Sequence, residues 1–271
     1  MAAPSAHAPI GVFDSGVGGL SVLRAVQQAL PHETLHYVAD SGHAPYGDKP
    51  AAVIQQRAEQ ILDFFQAQGA KAVVVACNTV TGLSISALRA RFAQLPLVAI
   101  EPAVKPAAQS TRSGVVGVLA TRNTVGSAGL ARLIAEHAGA VRVLPQACPG
   151  WADRVERGEL EGPATEAAVR ERVLPLLQAG ADTLVLGCTH YPFLAPVIRR
   201  VAGPQVDILD PAPAVARELA RRLDALGLRA TAGPGTARFW SSGPIDQAQA
   251  VIGLLWGQPV QVSPLPTAKN G

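Results

Sequence analysis

The sequence has few aromatic residues: Phe, Trp and Tyr together make up 4% of it. Its core must therefore be aliphatic, built from Ala, Val, Leu and Ile. Cysteine is scarce as well. Cys77, Cys148 and Cys188 are an odd number in a chain of 271 residues. That argues against a disulfide framework and for a reducing compartment. No two of them stand at a C-x-x-C spacing, so a zinc site or other metal centre is not expected. Long apolar runs are missing: one such as Ala72 to Cys77 is far too short to cross a bilayer. Met1 to Ile10 lack the basic and apolar regions of a signal peptide. Charge is sparse, at 16% of residues, and the net surplus is only +3. The arginines are scattered, with no basic cluster carrying interleaved aromatics, which argues against a nucleic-acid partner. These absences point to a cytoplasmic protein with neither a membrane nor a nucleic acid as partner.

What is present is a regular alternation. Strand-like runs occur at Ile10 to Phe13, Leu35 to Val38, Ala72 to Ala76 and Leu97 to Ile100. Others follow at Val115 to Leu119, Val141 to Leu144, Thr183 to Leu186 and Val206 to Leu209. They alternate little between apolar and polar, as expected of strands buried on both faces. Between them lie helical stretches. In Pro50 to Gln68, Val53, Ile54, Ala58, Ile61, Leu62 and Phe65 recur on a 3.6-residue period. Thr165 to Gln178 and Pro213 to Leu226 read the same way. The expectation is an α/β protein with doubly wound parallel sheets.

The chain also repeats itself. Gly11-Val12-Phe13-Asp14 recurs 106 residues later as Gly117-Val118-Leu119-Ala120. The stretch Val73 to Thr79 recurs as Thr183 to Thr189, with Cys77 and Cys188 111 residues apart. Ile100-Glu101-Pro102 recurs as Leu209-Asp210-Pro211 at an offset of 109. Three landmarks in one order at nearly one offset predict two similar halves facing each other across a cleft. The first domain would hold residues 1–99 plus 210–271, the second 100–209. The tail adds a strand-like Arg238 to Ser241, a helix near Asp246 to Trp256 and a last strand near Val260 to Val262. It is expected to return to the first half.

In open parallel sheets, ligands bind beyond the carboxyl ends of the strands. After the first strand comes Asp14-Ser15-Gly16-Val17-Gly18-Gly19-Leu20-Ser21. A G-x-G-x-x-G from Gly16 fails at Ser21, and the Lys-Ser/Thr of a Walker loop is absent. The glycines instead predict a tight turn whose backbone N–H groups can take a small anion such as a carboxylate. After the third strand of each half stands a cysteine followed by amide or hydroxyl groups: Cys77-Asn78-Thr79 and Cys188-Thr189-His190-Tyr191. Facing halves would aim both thiols into one cleft from opposite sides. Inverting a carbon that carries a hydrogen needs a base on one face and an acid on the other. A thiol pKa of about 8.5 lets one sulfur be thiolate and the other thiol. Asp14, Asp40, Glu156 and His190 are further acid–base candidates. Cys148 falls outside the pairing and reads as packing.

These residues resemble the glutamate racemases, members of the cofactor-independent aspartate/glutamate racemase superfamily. The resemblance runs from Ile10 to Val22 through Asp40, Pro45-Tyr46-Gly47, Ala76-Cys77-Asn78-Thr79 and Gly117 to Thr121 with Thr124. It continues through Gly187-Cys188-Thr189-His190-Tyr191-Pro192 to Phe239-Trp240-Ser241-Ser242-Gly243, nearly the whole chain. It implies interconversion of L- and D-glutamate without pyridoxal phosphate, supplying D-glutamate for peptidoglycan. It also implies that Cys77 exchanges the proton of D-glutamate and Cys188 that of L-glutamate. Asp14 would assist Cys77, while Glu156 and His190 would assist Cys188. Asp14, Ser15, Tyr46, Gly47, Asn78, Thr79, Thr121, Thr124, Thr189 and His190 would hold the substrate. The stretch Ala147 to Glu156 departs from the family pattern at Gly150, Asp153 and Arg154. No cofactor is implied, and a homodimer is compatible with the resemblance. The rival readings are a racemase of aspartate or another amino acid, a two-domain small-molecule binding protein, and a nucleotide-dependent enzyme. Among the lysines that a Schiff base would need, Lys71, Lys105 and Lys269 are expected away from the cleft, and Lys49 is the exception.

Overall fold

The computed structural model describes residues 5–266. The first half runs β1 (Ile10–Asp14), α1 (Leu20–Ala29), β2 (Thr34–Ala39), α2 (Ala51–Ala67), β3 (Ala72–Val75), α3 (Asn78–Arg91) and β4 (Leu97–Ala99). Helix α4 (Val104–Ser110) leads into the second: β5 (Val115–Ala120), α5 (Arg122–Val125), α6 (Ala128–His137) and β6 (Arg142–Ala147). Then come α7 (Trp151–Glu156), α8 (Pro163–Gln178), β7 (Thr183–Gly187), α9 (Ala195–Ala202) and β8 (Asp207–Leu209). The tail forms α10 (Ala212–Leu226), β9 (Thr236–Ser241), α11 (Ile245–Trp256) and β10 (Val262–Pro264).

Two parallel sheets result, in the orders β10-β9-β2-β1-β3-β4 and β6-β5-β7-β8. The order β2-β1-β3-β4 in one matches β6-β5-β7-β8 in the other, so the repeat in sequence is a repeat of topology. The tail rejoins the first sheet, where β9 pairs with β2 in parallel. The repeated glycines have one cause. A Cβ on Gly11 would lie 2.7 Å from the Phe65 ring of α2, and one on Gly117 would lie 2.7 Å from Leu176 of α8. Each central strand thus gives up a side chain to let a helix residue sit on it.

Some local readings shift. On α2, Ile54, Ala58, Ile61, Leu62 and Phe65 are buried as the period requires, but Val53 is exposed. Strand β6 is partly exposed rather than buried on both faces, because it is a sheet edge, where Pro145 costs no ladder bond. The last strand falls two residues later than the apolar pattern placed it.

Lys71 precedes β3 and is wholly buried at the end of the sheet opposite the cysteines. Its ammonium pairs with Glu33 and donates to the carbonyls of Ala6 and Leu228. Glu33 in turn accepts from the Ala230 N–H at 2.9 Å. This pair fastens the segment after α10 to the first sheet. Lys105 lines a groove with Pro102 and Pro211 at the two crossings between the halves. Lys269 lies outside the described residues.

Candidate active site

In each sheet the chain leaves the central strand toward one side and returns on the other. The switch points are β1/β3 and β5/β7, the crevices where ligands bind in this topology. Asp14 ends β1, and Cys77 follows β3, whose Phe13–Val75 pairing sets the two chain ends side by side. Cys188 follows β7 directly, in the equivalent crevice of the other sheet. Both sulfurs are enclosed: Cys77 is 4% exposed and Cys188 7%.

Cys77 is the N-cap of α3, and the N–H groups of Val80 and Ser15 point at its sulfur. That is an anion-stabilising position. Burial nonetheless dominates and, with the nearby Asp14 charge, pushes the thiol well above its usual range. Asp14 is also raised, chiefly by burial, against the opposing pull of His190. Its Oδ2 accepts from the Gly19 N–H at 2.9 Å and from the Thr189 hydroxyl at 3.2 Å. Among the described residues its Oδ1 has no partner in hydrogen-bond geometry, although the Cys77 thiol is near enough to favour the carboxylate. A buried carboxyl and a buried thiol, both raised and adjacent, suit the passing of one proton between them.

On the Cys188 side, His190 Nδ1 lies 3.6 Å from the sulfur and 3.9 Å from Asp14 Oδ2. Its Nε2 is 2.6 Å from Glu156 Oε1. That carboxylate fixes a proton on Nε2 and leaves Nδ1 to face the sulfur. Burial opposes a charged ring. The hydrogen bonds to Cys188 and Glu156 and the Cys188 and Asp14 charges outweigh it, so His190 is raised well above the usual imidazole range. The departures at Gly150, Asp153 and Arg154 leave Glu156 in place at the end of α7. Cys77, Asp14, His190 and Cys188 thus form one continuous chain of acid–base groups drawn from both halves.

The glycine turn does take carboxylates, but they belong to the protein. Val17 N–H donates to Glu156 at 2.7 Å, and Gly19 N–H donates to Asp14. A Cβ on Gly16 would stand 1.9 Å from Glu156 Oε1, and one on Gly18 would stand 2.2 Å from His190 Nδ1. The glycines are there so that the second half's acid–base pair can press against the turn.

The remaining polar residues divide into four groups. Asn78 is buried, and neither of its amide atoms has a partner among the described residues. Thr79, Thr121 and Thr124 form a hydroxyl ring across the halves, with Thr79–Thr121 at 3.0 Å, Thr79–Thr124 at 3.4 Å and Thr121–Thr124 at 3.0 Å. Ser15 supplies its N–H beside Cys77, and Thr189 spends its hydroxyl on Asp14. Asp40 and Tyr46 stand apart. Asp40 accepts from Arg57 through Nη2 at 2.7 Å and Nε at 3.0 Å, from the Tyr46 hydroxyl, and interacts with His43 at 3.2 Å. Burial opposes its charge, but Arg57, Ser242 and Tyr46 hold its pKa below the usual value. An ionised carboxylate with its lone pairs engaged in this way is suited to anchoring its neighbours more than to receiving a proton. Arg57 was missed from sequence, where it reads as an ordinary exposed position of an amphipathic helix.

Residues 10–219 match the family described as Asp/Glu/Hydantoin racemase. Over 259 residues the chain is 54% identical to a glutamate racemase of Methylococcus capsulatus, covering 95% of each. The chain belongs to the glutamate racemases. The fold agrees with that membership. A glutamate racemase isoform from Bacillus anthracis superposes with a TM-score of 0.87 at 31% identity, covering 96% of this chain and 98% of that one. The Escherichia coli glutamate racemase, whose crystal structure holds L-glutamate and the activator UDP-MurNAc-ala, gives a TM-score of 0.82 at 31% identity. That match covers 94% of this chain and 97% of the other.

Proposed function

We propose that this chain interconverts L- and D-glutamate with two cysteine bases and supplies D-glutamate for peptidoglycan synthesis in the cytoplasm. The observation that carries the reading is the pair of cysteines at equivalent switch points, joined through His190 and Asp14. For L-glutamate, the Cys188 thiolate takes the α-proton, so a C–H bond breaks and an S–H bond forms. The electron pair left on the carbon spreads into the substrate carboxylate. The Cys77 thiol then gives its proton to the opposite face, and the reverse sequence converts D-glutamate. His190, held by Glu156, receives or returns the proton of Cys188, and Asp14 does so for Cys77. Each sulfur would approach the α-carbon to about 3–3.5 Å, which sets the sulfurs roughly 7 Å apart with substrate bound. With both sulfurs this enclosed, substrate enters when the halves part. The moving units would be residues 1–99 plus 210–271 and residues 100–209. Asn78 and the threonine ring supply polar contacts for the substrate.

The test is incubation in D₂O with L-glutamate and no added cofactor. The expected result is loss of optical rotation together with α-deuterium in the product. Binding without exchange would identify a binding protein instead, and faster exchange with aspartate would reassign the substrate. A requirement for pyridoxal phosphate after dialysis would overturn the two-cysteine mechanism.

A further inference from the structure

One wall of the site is held from both sides by residues outside the Cys77–Asp14–His190–Cys188 chain. The wall is the short turn Tyr46–Lys49, closed by the Lys49 N–H donating to the Tyr46 carbonyl at 3.1 Å. From the first half, the Tyr46 hydroxyl anchors it to Asp40, which Arg57 fixes. From the second half comes Asn123. Its Nδ2 donates to the Tyr46 carbonyl at 2.9 Å and to the Lys49 carbonyl at 2.9 Å, so both amide hydrogens are used. Asn123 sits on α5 between Thr121 and Thr124. Thr121 caps this helix by accepting from the Thr124 N–H at 3.3 Å. The turn also packs directly on Thr121, where a Cβ on Gly47 would lie 3.0 Å from the Thr121 Cβ. The neighbouring Arg122–Asp48 pair is exposed at 3.5 Å and adds little.

We propose that Asn123 is a positioning residue that clamps the Tyr46–Lys49 turn of the first half onto α5 of the second, and so holds Thr121 in register with Thr79. The turn is covalently part of the first half, whereas Thr121 and Thr124 belong to the second. Two hydrogen bonds from one amide to two carbonyls fix both the separation and the rotation of these surfaces. The proton-transfer groups lie elsewhere, so the clamp serves binding and closure. Its loss should weaken both enantiomers alike.

The kinetic part of this inference rests on the racemase reading. Asn123→Ala should raise KM about tenfold for both L- and D-glutamate, with kcat within about threefold of wild type. Asn123→Asp should be worse than Asn123→Ala, because its carboxylate would face two carbonyl oxygens with nothing to donate. A second measurement does not depend on catalysis. Amide hydrogen exchange of a peptide covering Ser41 to Pro50 should speed up roughly tenfold in ligand-free Asn123→Ala, with the strands unchanged. KM within twofold of wild type in both variants, or exchange at the wild-type rate, would overturn the clamp. So would a kcat loss above tenfold at unchanged KM. If the wild type fails to racemise glutamate, the functional reading falls, while the exchange experiment still decides the clamp.

Discussion

Gly18→Ala tests the acid–base chain without removing any functional group. The new Cβ would stand 2.2 Å from His190 Nδ1, where ordinary contact begins near 3.4 Å. The imidazole must retreat by about 1 Å, because the glycine turn is backbone and is pinned by the Gly19–Asp14 and Val17–Glu156 hydrogen bonds. The ring is itself held at Nε2 by Glu156, so the retreat tilts Nδ1 away from its 3.6 Å contact with the Cys188 sulfur. A misplacement of about 1 Å can cost on the order of 10²-fold in rate. Overpacking should cost about 1–3 kcal/mol in stability, which leaves a folded protein. The loss should fall on one face of the substrate. With a β-chloro amino acid, proton abstraction leads to elimination and needs no reprotonation. Elimination from the L form, which relies on Cys188, should drop by roughly 10²-fold, while the D form stays within a few-fold of wild type. In a His190→Gln background the same change should add little, since the clashing ring is gone. Equal losses for both enantiomers, or racemisation at the wild-type rate in a folded Gly18→Ala protein, would refute the proposed division of labour.

Cys77→Ser and Cys188→Ser should each reduce racemisation by at least about 10²-fold, the scale of a positioned acid or base. Cys188→Ser should keep elimination from the D form and Cys77→Ser from the L form, and a single mutant with wild-type racemisation would make that cysteine mere packing. Because the native pKa of His190 is raised, its stabilising contribution is complete below the unfolded value of about 6.5 and is lost as pH rises through the native one. Urea titrations from pH 6 upward should show stability falling in the wild type and a flatter profile in His190→Gln, and identical slopes would remove His190 as the cause. Lys71→Met strands the buried Glu33 carboxylate, so unfolding free energy should drop by about 3–5 kcal/mol, with kcat of the folded protein retained. Restoration by a Glu33→Gln/Lys71→Met double variant completes that test, and an unchanged urea midpoint would show that the pair is not structural.

Much of the fold was legible because parallel strands buried on both faces leave continuous apolar runs, and because the repeat fixed their correspondence. The position of the two cysteines was visible for the same reason, since each stands just after an equivalent strand of the repeat. What was not legible is what depends on contact between halves. Nothing in Gly16-Val17-Gly18-Gly19 says that the Val17 N–H serves Glu156, 139 residues away in sequence. Nothing in Asp40 says that Arg57 and Tyr46 fill its lone pairs, because helix periodicity places Arg57 only as a polar position. Asn123 had no signal at all, since an amide donating to two carbonyls carries no spacing of its own.

The repeat also explains why the two thiols need different partners. At the offset linking Gly11 to Gly117, Asp14 corresponds to Ala120, so the second sheet has no carboxylate at the end of its central strand. At the offset linking the cysteines, His190 corresponds to Thr79, so the first sheet has no imidazole beside its thiol. Each half therefore carries one half of an acid–base set. The duplicated scaffold places the sulfurs symmetrically, and the substitutions at these two positions make their chemistry unequal. The halves are reconnected through Asp14, whose Oδ2 accepts from Thr189 and faces His190, while the Cys77 thiol also lies close to the carboxylate. A proton on either thiol therefore changes the field at the other through a group that belongs to only one of them. In the proposed two-base mechanism, Asp14 is therefore the group through which the two halves of the acid–base set meet.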